Sequence, residues 1–125
     1  METNDGLVDK LVERGHIESE KIEEAFRNVD RADFVPEKYR DNAYTDTPLP
    51  ITGGATISAP HMVAMNTELL NVKEEDRVIE IGSGSGYQLA ILSHLTDGEV
   101  IGVEIIEELV RKSRESYQEE KMSAY

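Results

Sequence analysis

The sequence contains no cysteine. That excludes a disulfide framework and any metal site built on thiolates, and no metal site of another kind is expected. Basic residues are also scarce: 13 Lys and Arg stand against 26 Asp and Glu, a net charge of −13. Phosphate backbones and anionic lipid surfaces are held by clustered Lys and Arg, so neither a nucleic acid nor a membrane is an expected partner. No apolar run approaches the ~20 residues of a membrane-spanning helix. The opening Met1-Glu2-Thr3-Asn4-Asp5 is acidic where a secretory signal would be positively charged. These absences together point to the cytoplasm. The acidic field would favour a cationic ligand, but it serves solubility equally well in a salty cytoplasm where screening relieves self-repulsion.

What is present is a globular composition. Hydrophobic residues make up 38% of 125 residues, enough for one domain with a core. There is no internal repeat and no low-complexity tract. Leu7, Val8, Leu11 and Val12 fall at helical spacing over residues 6–14, and Gly15 stops the run. Ile22, Ala25, Phe26 and Val29 form the stripe of a second helix over 19–29. Residues 31–56 hold three of the four prolines and Gly53-Gly54, without periodicity. A short helical turn is expected at 37–40 after Val35-Pro36, and extended backbone at 47–51, where Pro48 and Pro50 remove donors.

Ser58-Ala59-Pro60 reads as a helix start, with a hydroxyl cap and proline in the first turn. The helix is expected to reach Leu70 and bury Met62, Val63, Leu69 and Leu70. A short apolar strand over 77–81 runs into glycines, and helical spacing returns over 87–95. Thr96-Asp97-Gly98 turns the chain into a second strand at 99–105. An amphipathic helix from Glu107 to about Glu120 follows, with Leu109 and Val110 buried. This order predicts the start of an α/β, Rossmann-like doubly wound parallel sheet, incomplete here, behind an N-terminal helical subdomain. The boundary is placed at residue 56. Residues 1–56 form the helices and a substrate-side loop, and 57–125 the first part of the nucleotide-binding-like domain.

The chemistry concentrates where that first strand ends, at Glu80-Ile81-Gly82-Ser83-Gly84-Ser85-Gly86-Tyr87. Glycines there let the backbone turn with positive φ and let a ligand lie against bare main chain. The spacing differs from the dinucleotide fingerprint, whose third glycine would stand at Tyr87. It suits a cofactor that approaches with amino-acid and nucleoside parts and no pyrophosphate. Glu104 closes the second strand, where a carboxylate can accept hydrogen bonds from ribose hydroxyls. An ordinary turn and one more solvated acid remain the plain alternative.

The run Val78-Ile79-Glu80-Ile81-Gly82-Ser83-Gly84-Ser85-Gly86-Tyr87 resembles the first motif of class I methyltransferases. Ala55-Thr56-Ile57-Ser58-Ala59-Pro60-His61-Met62 resembles the signature of the protein-L-isoaspartate O-methyltransferases, and Tyr44-Thr45-Asp46-Thr47-Pro48-Leu49-Pro50-Ile51 resembles its lead-in. The likeness runs from about residue 5 to 120. It implies S-adenosylmethionine as methyl donor, S-adenosylhomocysteine as product, and damaged proteins carrying L-isoaspartyl or D-aspartyl residues as substrates. It implies a catalytic position for Ser58, cofactor contacts from Thr56, Ile57, Ser58, Glu80, Gly82, Ser83, Gly84, Ser85, Gly86 and Glu104, and substrate contacts from Ile57, Ser58 and His61. Without it, Ser58 is equally a plain helix cap, His61 a surface helix residue, and Asp46 a holder of a local turn.

The family's domain is longer and its sheet larger. Two strands leave open edges that invite self-association, so the chain is expected to be a truncated product or a shortened relative that dimerises or exchanges elements. Three readings follow: an isoaspartyl methyltransferase, an inactive fragment or cofactor-binding module of that family, and another small-molecule methyltransferase or Rossmann protein. The Ala55-to-Met62 segment weighs against the third.

Overall fold

In the computed structural model residues 2–119 are described, and the far end of the last helix, expected near Glu120, lies outside them. Thr3 opens α1 (Asn4–Glu13), its Oγ1 accepting from Gly6 N at 3.0 Å. The cap starts the helix ahead of its apolar stripe, which buries Leu7, Val8 and Leu11 while Val12 lies at the edge, 36% exposed. Helix α2 (Glu20–Asn28) buries Ile22, Ala25 and Phe26 against it, and Asn4 Nδ2 donates to Phe26 O at 3.0 Å. Two 3-10 turns follow, Arg31–Phe34 and Glu37–Asn42. The extended segment then becomes β1 (Leu49–Pro50), antiparallel to β2 (Thr56–Ile57), with Leu49 opposite Ile57.

Helix α3 (Pro60–Leu70) departs from expectation in two ways. Its N-cap is Ala59, with no side-chain cap bond, and Ser58 is an exposed residue one place upstream. The donor at the helix head is satisfied from a distance: Asp46 Oδ1 accepts from His61 N at 2.9 Å. The buried face is Pro60, Val63, Ala64 and Thr67, one helical stripe turned toward α1 and α2. Of the residues expected inside, only Val63 is buried. Met62, Leu69 and Leu70 are 44%, 81% and 55% exposed, because they fall on the opposite sides of that stripe.

Strand β3 (Val78–Ile81) pairs in parallel with β4 (Val100–Val103), Val78 beside Val100 and Ile81 beside Val103. The crossover is α4 (Tyr87–Ser93), which buries Tyr87, Leu89, Ala90, Ile91 and Leu92. Helix α5 (Glu107–Glu119) follows and buries Leu109, Ser113 and Tyr117; Val110 is half-buried, not buried. The expected strand–loop–helix–strand–helix order is therefore present.

The N-terminal helices and the parallel unit share one apolar cluster. Tyr87 stands at its centre, its ring 6.3 Å from Phe26 and 5.7 Å from Phe34, and Phe34 lies 6.3 Å from Tyr117. Side chains of this size each contribute roughly 1.5–3 kcal/mol on burial. Parallel strands are normally covered on both faces. Here Val78 and Glu80 point inward, while Ile79, Ile81 and Val103 are 61%, 78% and 44% exposed on the other side, and Ile105, past the end of β4, is 95% exposed. No helix among the described residues is long and apolar enough to cross a membrane.

Candidate functional site

The end of β3 sets the site. Gly82, Gly84 and Gly86 adopt φ of 78°, 54° and 87°, the left-handed region that favours glycine. Gly82 N and Ser83 N both donate to Val103 O, at 2.7 and 3.1 Å, so the loop leaves the sheet clamped to β4. Gly86 N then donates to Ser83 O at 2.9 Å and opens α4. Gly86 has a second reason to lack a side chain. A Cβ there would stand 3.0 Å from Ser113 Cβ and 3.3 Å from Tyr117 Cε2 on α5.

Facing this loop is the segment that leads into α3. Thr56, Ile57 and Ser58 line one cleft with Glu80, Gly82, Ser83, Gly84 and Ser85. These are residues that the sequence places on a single cofactor site, drawn from stretches more than twenty positions apart. The cleft also takes Val63, Asn66, Tyr87 and Gln88 as lining, which sequence reasoning missed. Asn66 was detectable as the polar residue three positions after Val63 on α3. Gln88 is held by its Nε2 donating to Thr67 Oγ1 at 2.8 Å, a long-range bond with no local signal. The cleft holds about 100 Å³, against roughly 300–1,000 Å³ for a whole small-molecule site. It is one wall of such a site.

Three expected residues do not line it. Gly86 is buried under α5. Glu104 braces the loop: its Oε1 accepts from Gly84 N at 2.8 Å and its Oε2 from Ile106 N at 3.0 Å. Each oxygen keeps further acceptor capacity for a ligand hydroxyl. His61 sits on the first turn of α3, its Nδ1 2.9 Å from Asp46 Oδ1 and its ring 5.5 Å from that of His16.

The electrostatics single out Glu80. Its Oε1 is buried, and no donor among the described residues reaches it. Burial, with a smaller push from the charge of Glu104, raises its pKa to about 7. A carboxylate held this way gains from any cation brought into the cleft. Asp46 behaves oppositely. Burial pushes its pKa up, but the bonds from the His61 N–H and ring, with the nearby charges of His61 and His16, outweigh that and hold it below the ordinary value. Among the described residues no group of three or more His, Asp or Glu could hold a metal ion.

A sequence model of the family "protein-L-isoaspartate(D-aspartate) O-methyltransferase" matches residues 2–124. The chain belongs to that family. Curated protein-L-isoaspartate O-methyltransferases resemble it closely: one from Methanopyrus kandleri is 51% identical over 110 residues, covering 86% of this chain and 49% of the relative. Another, from Myxococcus xanthus, is 49% identical over 110 residues, covering 88% of this chain and 51% of the relative. Among solved structures, a Plasmodium falciparum protein described as a protein-L-isoaspartate O-methyltransferase, in complex with S-adenosyl-L-homocysteine, superposes with a TM-score of 0.85. It is 34% identical, and the match covers 97% of this chain and 57% of that one. A second structure, described as a protein-L-isoaspartate O-methyltransferase, gives a TM-score of 0.84 at 26% identity, covering 96% of this chain and 39% of that one. The fold is thus the class I methyltransferase α/β fold in part, as the sequence predicts. The chain spans about half the length of the curated relatives it matches.

Proposed function

We propose that the protein transfers a methyl group from S-adenosylmethionine to the α-carboxylate of L-isoaspartyl, and some D-aspartyl, residues in damaged proteins. The observation that carries this reading is the cleft in which the Thr56–Ile57 strand and Ser58 face Glu80 and the glycine loop, with an unpaired buried carboxylate oxygen on Glu80. The residues present fit the cofactor. Glu80 offers negative charge to its cationic amino-acid part, Gly82 to Ser85 offer bare main chain, and Glu104 has acceptor capacity for the ribose. When bound, the cofactor supplies an electrophilic methyl on sulfonium.

The chain's own residues then have a modest task. A substrate carboxylate with a pKa near ~4 is already ionised at neutral pH, so no strong base is required. Alignment and exclusion of water are what matter. Ser58 offers a hydroxyl at the lip of the cleft, Ile57 an apolar wall, and the first turn of α3, with His61, the positive end of a helix for the anion. In this reading residues 1–56 supply the substrate-side scaffold and 57–125 the cofactor side. A cytoplasmic setting and self-association through the open sheet belong to the same proposal.

A second reading is favoured by two observations: the cleft forms a single wall of about 100 Å³, and the chain spans about half of its relatives. On that reading this chain binds cofactor without turnover. Calorimetric titration with S-adenosylhomocysteine, run beside methyl transfer to an isoaspartyl peptide, separates the two. Turnover establishes the first reading, and binding without turnover the second for this chain. No binding at millimolar ligand would sink both.

A further inference from the structure

Arg31 is 0% exposed and the largest fully buried side chain among the described residues. Among the described residues no carboxylate forms an ion pair with it, and Asp46 acts on it only at longer range. Its four terminal N–H groups instead reach four main-chain carbonyls: Nη1 donates to Ala43 O at 2.9 Å and Thr45 O at 3.1 Å, Nη2 to Thr47 O at 2.9 Å and Ser58 O at 3.2 Å. Burial pulls its pKa below the ordinary arginine value, offset in part by Tyr87 and Asp46. A buried cation without a directly bonded anion is a poor way to stabilise a core, since an apolar side chain of similar volume would fill the space without the desolvation penalty. The four carbonyls explain it. Three belong to the stretch 43–47, which has no regular secondary structure of its own, and the fourth belongs to Ser58, at the lip of the cleft.

That stretch carries Asp46, whose Oδ1 takes both the backbone N–H and the ring Nδ1 of His61 at 2.9 Å. One guanidinium therefore fixes the spacing between the Asp46 loop and the Ser58 carbonyl, and the loop fixes the head of α3. The planar fork is what makes this work. An ammonium carries three donors on one atom and cannot serve two pairs of carbonyls at that separation.

We propose that Arg31 is the positioning residue for the substrate side of the cleft, setting Ser58 at its lip and His61 at the head of α3 through the carbonyls of 43–47 and Ser58. This rests on the isoaspartyl methyltransferase reading for the identity of the substrate. It goes beyond that reading in assigning the placement of Ser58 to a residue that touches neither ligand. The glycine loop is held by hydrogen bonds to β4 and by packing under α5, none of them made by Arg31, so a change at Arg31 should act more on peptide affinity than on cofactor affinity.

The test uses the whole chain with Arg31→Lys, Asp46→Ala and the double variant. Affinity for S-adenosylhomocysteine, affinity for an isoaspartyl peptide, and hydrogen-exchange protection of the His61 amide are measured for each. The expected result for either single variant is cofactor affinity within about threefold of the parent, with peptide affinity and His61 protection down about tenfold, the size of one lost hydrogen bond. The double variant should lose no more than the worse single one, because both act through one loop. Equal losses of cofactor and peptide affinity, or additive losses in the double variant, would overturn the proposal and leave Arg31 a general stabiliser. Should Arg31→Lys fail to fold, Asp46→Ala carries the same separation of affinities. If the parent chain binds neither ligand, the functional reading has failed. The Arg31 assignment is then decided by His61 protection alone, which must fall in Arg31→Lys for it to stand.

Discussion

Glu80 is the residue whose physics most directly exposes what the site is for. A carboxyl whose pKa is raised in the folded state stabilises the fold below its ordinary value, and that contribution is lost as pH rises through the shifted one. For Glu80 the window runs from 4.5 to about 7. Other carboxylates titrate in the same range, so the clean measurement is the difference between the parent and Glu80→Gln. The two should melt alike near the lower end of the window. Above about pH 7 the variant should be the more stable, because the parent then carries a charge with no partner. Cofactor affinity should run the other way. It should strengthen in the parent as the carboxylate ionises and stay flat in Glu80→Gln. Identical melting differences at both ends of the window would mean that Oε1 is not held away from solvent.

At the scale of elements, β4 contains a requirement that no periodicity announces. Gly102 has an ordinary strand conformation, yet a Cβ on it would overlap Leu89 Cδ1 and stand 2.8 Å from Ser83 Cβ. The strand, α4 and the glycine loop meet at that point. Gly102→Ala should therefore destabilise the fold by about 1–3 kcal/mol, the usual range for overpacking, and weaken cofactor binding by displacing Ser83. Thermal unfolding with and without S-adenosylhomocysteine reads both effects, and an unchanged midpoint would show that Leu89 can rotate away. The contrast with Gly82, Gly84 and Gly86 shows what a sequence can carry. Those three glycines were legible because their spacing and place after an apolar strand are local. The β3–α4–β4–α5 order was legible for the same reason, as was the pairing of Thr56 to Ser58 with the loop once the resemblance to the family supplied it. The head of α3 was not. Its cap comes from Asp46, fifteen positions away, and its buried stripe is chosen by α1 and α2, neither of which a window of sequence contains. The hairpin of β1 and β2 is only two pairs long, too short for an alternation to show.

The whole molecule presents a contradiction between charge and surface. Ile79, Ile81 and Val103 are bare on one face of the parallel sheet, with Leu70 beside the first two, and Ile105 just past the end of β4 is 95% exposed. Patches of contiguous apolar surface on that scale are sites of association, and the free strand edges beside them add unpaired N–H and C=O groups. The net charge of −13 acts against association between like copies. The two effects respond differently to salt. Raising ionic strength from ~0.1 to ~1 M shortens the screening length from about 10 to 3 Å and weakens the repulsion, while burial of the isoleucines is undiminished. Sedimentation velocity should therefore show this chain associating more strongly as salt is added, and the double substitution Ile81→Thr with Ile105→Ser should remove most of that association. Neither position lines the cofactor cleft, so cofactor affinity should change little. A chain that stays monomeric at high salt and high concentration would mean that the face is tolerated in water. Self-association would then drop out of the proposal, with the cofactor cleft untouched.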